Sequence, residues 1–272
     1  MTVLKRHTPY TYNLLYFIVF MSFWQMPALA SDLAKEKRWS EQIVDSLLVG
    51  DPVELKAGDT PFLGIFTAAS NGSTDRAAII VHGVGVHPDW PEVIYPLRSE
   101  LPEHGWSTLS IQMPILANDA PLQDYLPLFD EAGPRIEAAV RFLRDRGNQT
   151  IVLIGHSLGA AMAASYLAHN PQHDLQGLVV IGLGAIDLDD RMNGVLALEK
   201  IQVPVLDLYG SNDLAIVLDS VKARTRAART AGNTNYRQIE VQDADHFFAG
   251  LEDTLNQRVS GWLKSFYADK PR

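Results

Sequence analysis

The clearest chemical signal in the chain is a serine set between two glycines: Gly155-His156-Ser157-Leu158-Gly159. Ile151–Ile154, just before it, is apolar and mostly β-branched, as a buried strand is. Ala161–Ala168, just after it, is rich in alanine, as a helix is. A strand that turns directly into a helix forces the residue at the turn into a strained backbone conformation. Flanking glycines, with no Cβ, let neighbouring backbone come close. Such a turn lifts the Ser157 hydroxyl above the carboxyl edge of a sheet. It also sets the Leu158 N–H at a helix N-terminus, where it can stabilise a developing oxyanion.

A serine hydroxyl is a weak nucleophile without a base, and the base needs a group to orient it. Asp213 follows the apolar strand Val203–Tyr209 and the turn Gly210-Ser211-Asn212. A carboxylate just past the carboxyl end of a parallel strand shares a rim with Ser157. Asp207 is its rival but lies inside the strand, and Asp213 could also serve as a helix N-cap. His246 falls in the loop after the last strand, Tyr236–Val241, and is the one histidine that follows Asp213.

The motif around Ser157 resembles the nucleophile turn of the α/β-hydrolases, in which the triad runs Ser…Asp…His along the chain. The resemblance implies an α/β fold, a mostly parallel twisted sheet with helices on both faces. It also implies a second oxyanion donor in the loop after the strand Ala77–Val81, which ends in His82-Gly83; that donor would be the N–H of Val84. His82 itself reads as a buried, hydrogen-bonded structural residue. Ala244-Asp245-His246-Phe247-Phe248 is similar to the triad-histidine loop of small members. His87-Pro88-Asp89-Trp90-Pro91 resembles a group of exported bacterial hydrolase-like proteins of unassigned function. Where many members carry an aspartate and a Gly-rich loop after the strand Trp106–Ile111, this chain has Gln112-Met113-Pro114. Met113 and His87 are candidate substrate-wall residues.

The elements that must position these residues fit a single domain over residues 31–272. Ser31–Leu48 has broadly helical apolar spacing, and Val53–Lys56 with Phe62–Thr67 reads as a strand pair around Gly58-Asp59. Helices are expected over Pro91–Leu101, Asp130–Arg146, Ala215–Gly232 and Leu251–Phe266. The charges on Asp130–Arg146 and on the basic Ala215–Gly232 read as solvated faces. Only Asp187–Gln202 separates two core strands, which leaves no room for a large cap. Its acidic run lacks paired histidines and calcium-loop spacing and reads as a solvated loop.

Met1–Ala30 reads as a signal peptide: Lys5, Arg6 and His7, then an apolar stretch from Leu14 to Trp24, then Ala28-Leu29-Ala30 as a cleavage signal. That stretch is shorter than the roughly 20 residues a bilayer-spanning helix needs. The location implied is exported and periplasmic, with no stable membrane span after cleavage; an uncleaved anchor is the competing reading. The chain has no cysteine, which excludes thiol catalysis, disulfides and cysteine metal sites. Its net charge of −9 argues against nucleic acid as a partner.

Together these features point to an exported serine hydrolase of carboxylic esters or thioesters. It would act on a small-molecule ester through an acyl-enzyme and need neither cofactor nor metal. The alternative is a catalytically silent envelope protein that keeps the fold.

Overall fold

The computed structural model describes residues 31–267. The signal peptide expected over residues 1–30 lies outside the described residues.

Six parallel strands form the centre of one sheet: β3 (Arg76–Val81), β4 (Ser107–Ile111), β5 (Thr150–His156), β6 (Gly177–Ile181), β7 (Val205–Asn212) and β8 (Tyr236–Asp245). A hairpin of β1 (Asp51–Ala57) and β2 (Thr60–Thr67) adds antiparallel to β4 and closes one edge. The strand order is β1-β2-β4-β3-β5-β6-β7-β8.

The apolar runs in β3, β5 and β6 are buried on both faces, which is why they lack the alternation of a half-exposed strand. Alternate side chains divide between two cores. Ala77, Ile79 and Val81 join Ile136 and Leu143 of α3 (Leu128–Asp145) and Ala160 and Leu167 of α4 (Leu158–His169). Ala78 and Ile80 face the other way, with Leu97 of α2 (Ile94–Glu100) and Leu255, Val259 and Trp262 of α8 (Glu252–Tyr267). Outside this sandwich, α1 (Leu33–Ser46) lays Ile43 on Leu63 and Ile65 of β2. Between β6 and β7 stand only a single 3-10 turn (Asp190–Met192) and α5 (Gly194–Leu198), so there is no large cap.

The fold corrects three expectations. The helix expected over Pro91–Leu101 begins at Ile94, because Val93 sits buried at a φ of 58°. The helix expected over Ala215–Gly232 is broken into α6 (Ala215–Leu218) and α7 (Val221–Thr230). Ser220 Oγ donates to the Ile216 and Val217 carbonyls, and the Arg224 guanidinium also donates to Val217 O. These bonds satisfy the carbonyl ends of α6 and turn Arg224 inward, where it is fully buried against Asp207. The third correction is Arg135 of α3, which is not on a solvated face. Its terminal nitrogens donate to Glu36 at 2.8 and 3.1 Å and to the Gln112 carbonyl at 3.0 Å. Burial pushes the Glu36 carboxyl up in pKa, and Arg135 partly offsets it.

Replacing one member of such a buried pair leaves the other charge unpaired. Arg135→Ala is expected to lower the unfolding free energy in urea by about 3–5 kcal/mol. Arg141→Ala, on the exposed face of the same helix, is expected to change it by less than about 0.5 kcal/mol.

Candidate active site

Every strand from β3 to β8 hands its next residue to one end of the sheet. Ser157 is the first residue after β5, Asp213 the first after β7 and His246 the first after β8. His82, Gln112 and Gly182 stand in the same relation to β3, β4 and β6. This is the carboxyl edge, where open α/β sheets present their ligand-binding groups.

At the end of β5 the chain reverses into α4 through Ser157, whose backbone lies at φ 57°, ψ −125°. That is sparsely populated territory for a residue with a side chain. Ser157 N donates to Ile181 O of β6 at 2.9 Å, which holds the turn against the sheet. A Cβ on Gly155 would stand 2.6 Å from the Gly159 carbonyl, and one on Gly159 would stand 2.3 Å from the His82 carbonyl. Both positions are closed to any larger residue.

His246 Nε2 lies 2.9 Å from Ser157 Oγ, and His246 Nδ1 lies 2.6 Å from Asp213 Oδ1. Asp213 also accepts from the backbone N–H of Leu214 at 2.8 Å and of Gly210 at 3.2 Å. Burial alone would raise its pKa; the His246 contact and these two amides outweigh burial and hold it below the ordinary carboxylate range. Asp207, the rival acid, is spent on structure: Arg224, Gln238 and the Tyr236 hydroxyl all donate to it.

Several positioning residues carried little signal in the sequence. Gly182, at φ 64°, leaves the space in which the imidazole lies; a Cβ there would stand 2.7 Å from His246 Cε1. His156 Nε2 donates to the His246 carbonyl at 2.9 Å and so ties the β8 loop to β5. Burial, with the adjacent His246, lowers the His156 pKa to about 4. His82 is buried as expected. Met113 N donates to its Nε2 at 2.9 Å, so the proton sits on Nδ1 and is donated to Gly83 O at 3.0 Å. That bond fixes the plane of the Gly83–Val84 peptide, which carries the Val84 N–H. Burial lowers the His82 pKa to about 3.

Ser157 and His246 open into a cleft of about 350 Å³, whose walls include Val84, Val86, Leu122, Leu158, Ile186 and Val217. No lysine, arginine or glutamate is among its lining residues. Two sequence expectations fail here. Met113 does not reach the cleft: it is buried in the core on the α3 side of the sheet. Nor does His87, whose ring is held edge-on between Trp39 and Trp90, with centroids 5.3 Å from each. Its loop is anchored from beneath, by Ser110 Oγ donating to Pro88 O and by Arg98 pairing with Asp89. Among the described residues, no group of three or more His, Asp or Glu side chains is placed to hold a metal ion. No described helix is long and apolar enough to cross a membrane.

A family model for DUF3530, described as a protein of unknown function, matches residues 26–127 and 129–265. The chain belongs to this family. Its fold is that of the α/β-hydrolase superfamily. The Pyrococcus furiosus esterase Pf2001 superposes with a TM-score of 0.65 at 18% identity, over 82% of this chain and 95% of that one. A dienelactone hydrolase from Anabaena variabilis gives 0.63 at 22% identity, over 79% and 96%. XC6422 from Xanthomonas campestris, an α/β serine hydrolase without a lid, gives 0.59 at 16% identity, over 82% and 97%. A search of curated proteins finds no match.

Two predictions follow from these positions. Gly182→Ala is expected to keep the fold while displacing the imidazole, slowing covalent labelling of Ser157 by a fluorophosphonate at least about tenfold. His82 and His156 bind protons less readily folded than unfolded, where the histidine pKa is about 6.5. Stability is therefore full above about pH 6.5 and is lost as the pH falls toward 4 and then 3. In urea titrations from pH 7 to 4, His156→Gln should reduce this slope by up to one proton's worth.

Proposed function

We propose that this protein is a serine hydrolase of uncharged carboxylic esters. The observation that carries the reading is the continuous chain from Ser157 Oγ through His246 to the Asp213 carboxylate. His246 takes the Ser157 proton as Oγ attacks the ester carbonyl, and later returns it to the departing alcohol. Asp213 holds the imidazole with its proton on Nδ1 and stabilises the imidazolium. Backbone N–H groups of Leu158, at the start of α4, and of Val84, in the loop braced by His82, receive the oxyanion. Each such donor is worth about 3 kcal/mol of barrier. Water activated by His246 then resolves the acyl-enzyme.

The cleft walls support an apolar substrate. Val84, Leu214, Ile216 and Phe247 border the cleft and remain exposed at its mouth. No cationic side chain lines it to pair with a carboxylate or phosphate on a substrate. The short β6–β7 connection supports an open approach. The basic start, apolar stretch and Ala-Leu-Ala of residues 1–30 support export to the periplasm.

A fluorophosphonate probe is expected to label the wild-type protein and not Ser157→Ala, with both variants folded by circular dichroism. Folded wild-type protein that takes no label would overturn the reading and favour a silent binding protein. Neutral nitrophenyl butyrate should be cleaved with a kcat/KM at least about tenfold above that of the anionic succinate monoester, since no group in the cleft compensates a buried carboxylate.

A further inference from the structure

We propose that the groove between α1 and the β1–β2 hairpin is a binding site for an uncharged alcohol with an apolar body. The groove shares no lining residue with the cleft at Ser157, and the proposal does not rest on the chemistry there.

The groove has a volume of about 480 Å³. One wall is the face of α1 that carries Leu33, Ser40 and Val44; the other includes Val53 of β1 with Phe62 and Leu63 of β2. This is not the face on which α1 packs, where Trp39, Ile43 and Leu47 lie against Leu63 and Ile65. Leu33 and Val44 are 38% and 43% exposed. They stand eleven residues apart in the sequence, about 16 Å along the helix. Covering such walls with an apolar chain is favourable.

One buried polar atom distinguishes the groove from a bare apolar patch. Gln112 belongs to its wall and is 1% exposed. Gln112 Nε2 donates to Met113 O at 2.7 Å and lies 3.0 Å from His82 Nε2. Met113 N also donates to that His82 nitrogen, so the histidine accepts there and the amide must present its NH₂. The two ends of an amide point apart. With the nitrogen turned to His82, Oε1 is turned toward the groove. Gln112 Oε1 is buried and accepts no hydrogen bond from any described residue. An unmet buried acceptor costs free energy, and a donor that reaches it recovers that cost.

The charges around the groove select against an ionised ligand. Glu36 is held by Arg135 and by the Ile115 N–H, Glu41 pairs with Lys37, and Glu54 is exposed to water. None of them calls for a counter-ion. A carboxylate would enter beside Glu36 and an ammonium beside Arg135, which donates to the Gln112 carbonyl at 3.0 Å. Neither would find a buried partner to offset its lost hydration. A hydroxyl brings a donor without a charge. Water does the same but leaves Leu33 and Val44 wet, whereas an alcohol with an apolar chain meets Oε1 and covers both.

Octanol is the probe, titrated into the protein by calorimetry. One saturable site is expected in the wild type. It should be lost in Ser40→Trp, whose larger side chain occupies the groove from α1. Octyl methyl ether accepts but cannot donate, and should bind at least about threefold more weakly than octanol. Octanoate and octylammonium should each bind at least about tenfold more weakly. Gln112→Met, similar in volume, should make octanol and the ether bind alike; should it fail to fold, the wild-type and Ser40→Trp titrations decide. No saturable binding, or binding that survives Ser40→Trp and so belongs elsewhere, would overturn the proposal. So would an ether that binds the wild type as well as octanol does. Binding is read without turnover, so this outcome is separate from that of the hydrolase reading.

Discussion

How near α4 can come to the sheet decides where Ser157 stands. The first turn of α4 rests on the backbone of β3 and β5 with no side chain between them. A methyl group on Gly155 would overlap the start of α4, and one on Gly159 would overlap the carbonyls of Val81 and His82. Overlap of this kind cannot be relieved by a rotamer change, because the opposing atoms are main chain. With the helix this close, the connecting residue has no relaxed conformation, and Ser157 takes up the strain. Close packing of two glycines thus holds the Ser157 hydroxyl at the sheet edge, and burial of α4 against β3 and β5 sustains it.

The histidine opposite is held by a different device. His246 follows a strand whose end is irregular: β7 and β8 slip register between Gly210 and Asn212, and Asp243 has a φ of 64°. A loop of that kind would wander without cross-ties. Ser211 Oγ accepts from Asp243 N, and His156 donates to the His246 carbonyl. His156 can do this at neutral pH because burial keeps it uncharged; a protonated ring would put a positive charge beside the imidazole of His246. His82 works in the same way on the other side of Ser157, neutral and donating to Gly83 O. The site is therefore framed by two buried neutral histidines, with Asp213 as its permanent charge.

The sequence brought out Ser157, Asp213 and His246 because each follows a recognisable apolar strand, and because Gly-x-Ser-x-Gly has a steric reason. It carried the sheet for the same reason. Side-chain direction at half-buried positions was not legible. Arg135 and Arg224 lie on helices whose charges look solvated, yet each reaches inward to a carboxylate on another element. Their partners, Glu36 and Asp207, are distant in the chain, and no local pattern announces the pairing. Gly182 was hidden differently: its need for an open Cβ direction is set by the His246 ring, more than sixty residues later. His87 and Met113 looked like wall residues because they follow strand ends, but the direction of a loop after its first residue depends on what anchors it.

The His-Pro-Asp-Trp-Pro segment shows what such anchoring achieves. Arg98, fully buried, binds Asp89 and also donates to the Val49 carbonyl, linking α2 to the chain just before β1. Trp39 of α1 closes on the His87 ring from outside. The segment joins α1, α2 and the foot of the hairpin into one brace, a few residues downstream of Gly83 and Val84. An oxyanion donor must already point at its target before charge develops, since reorganisation during reaction would cost the stabilisation it supplies. A Gly-rich loop cannot achieve that alone. With His82 holding the Gly83 carbonyl at one end and the His-Pro-Asp-Trp-Pro brace fixing the other, the Val84 peptide has little freedom left. The motif does not line the cleft itself; it limits the motion of the loop that does.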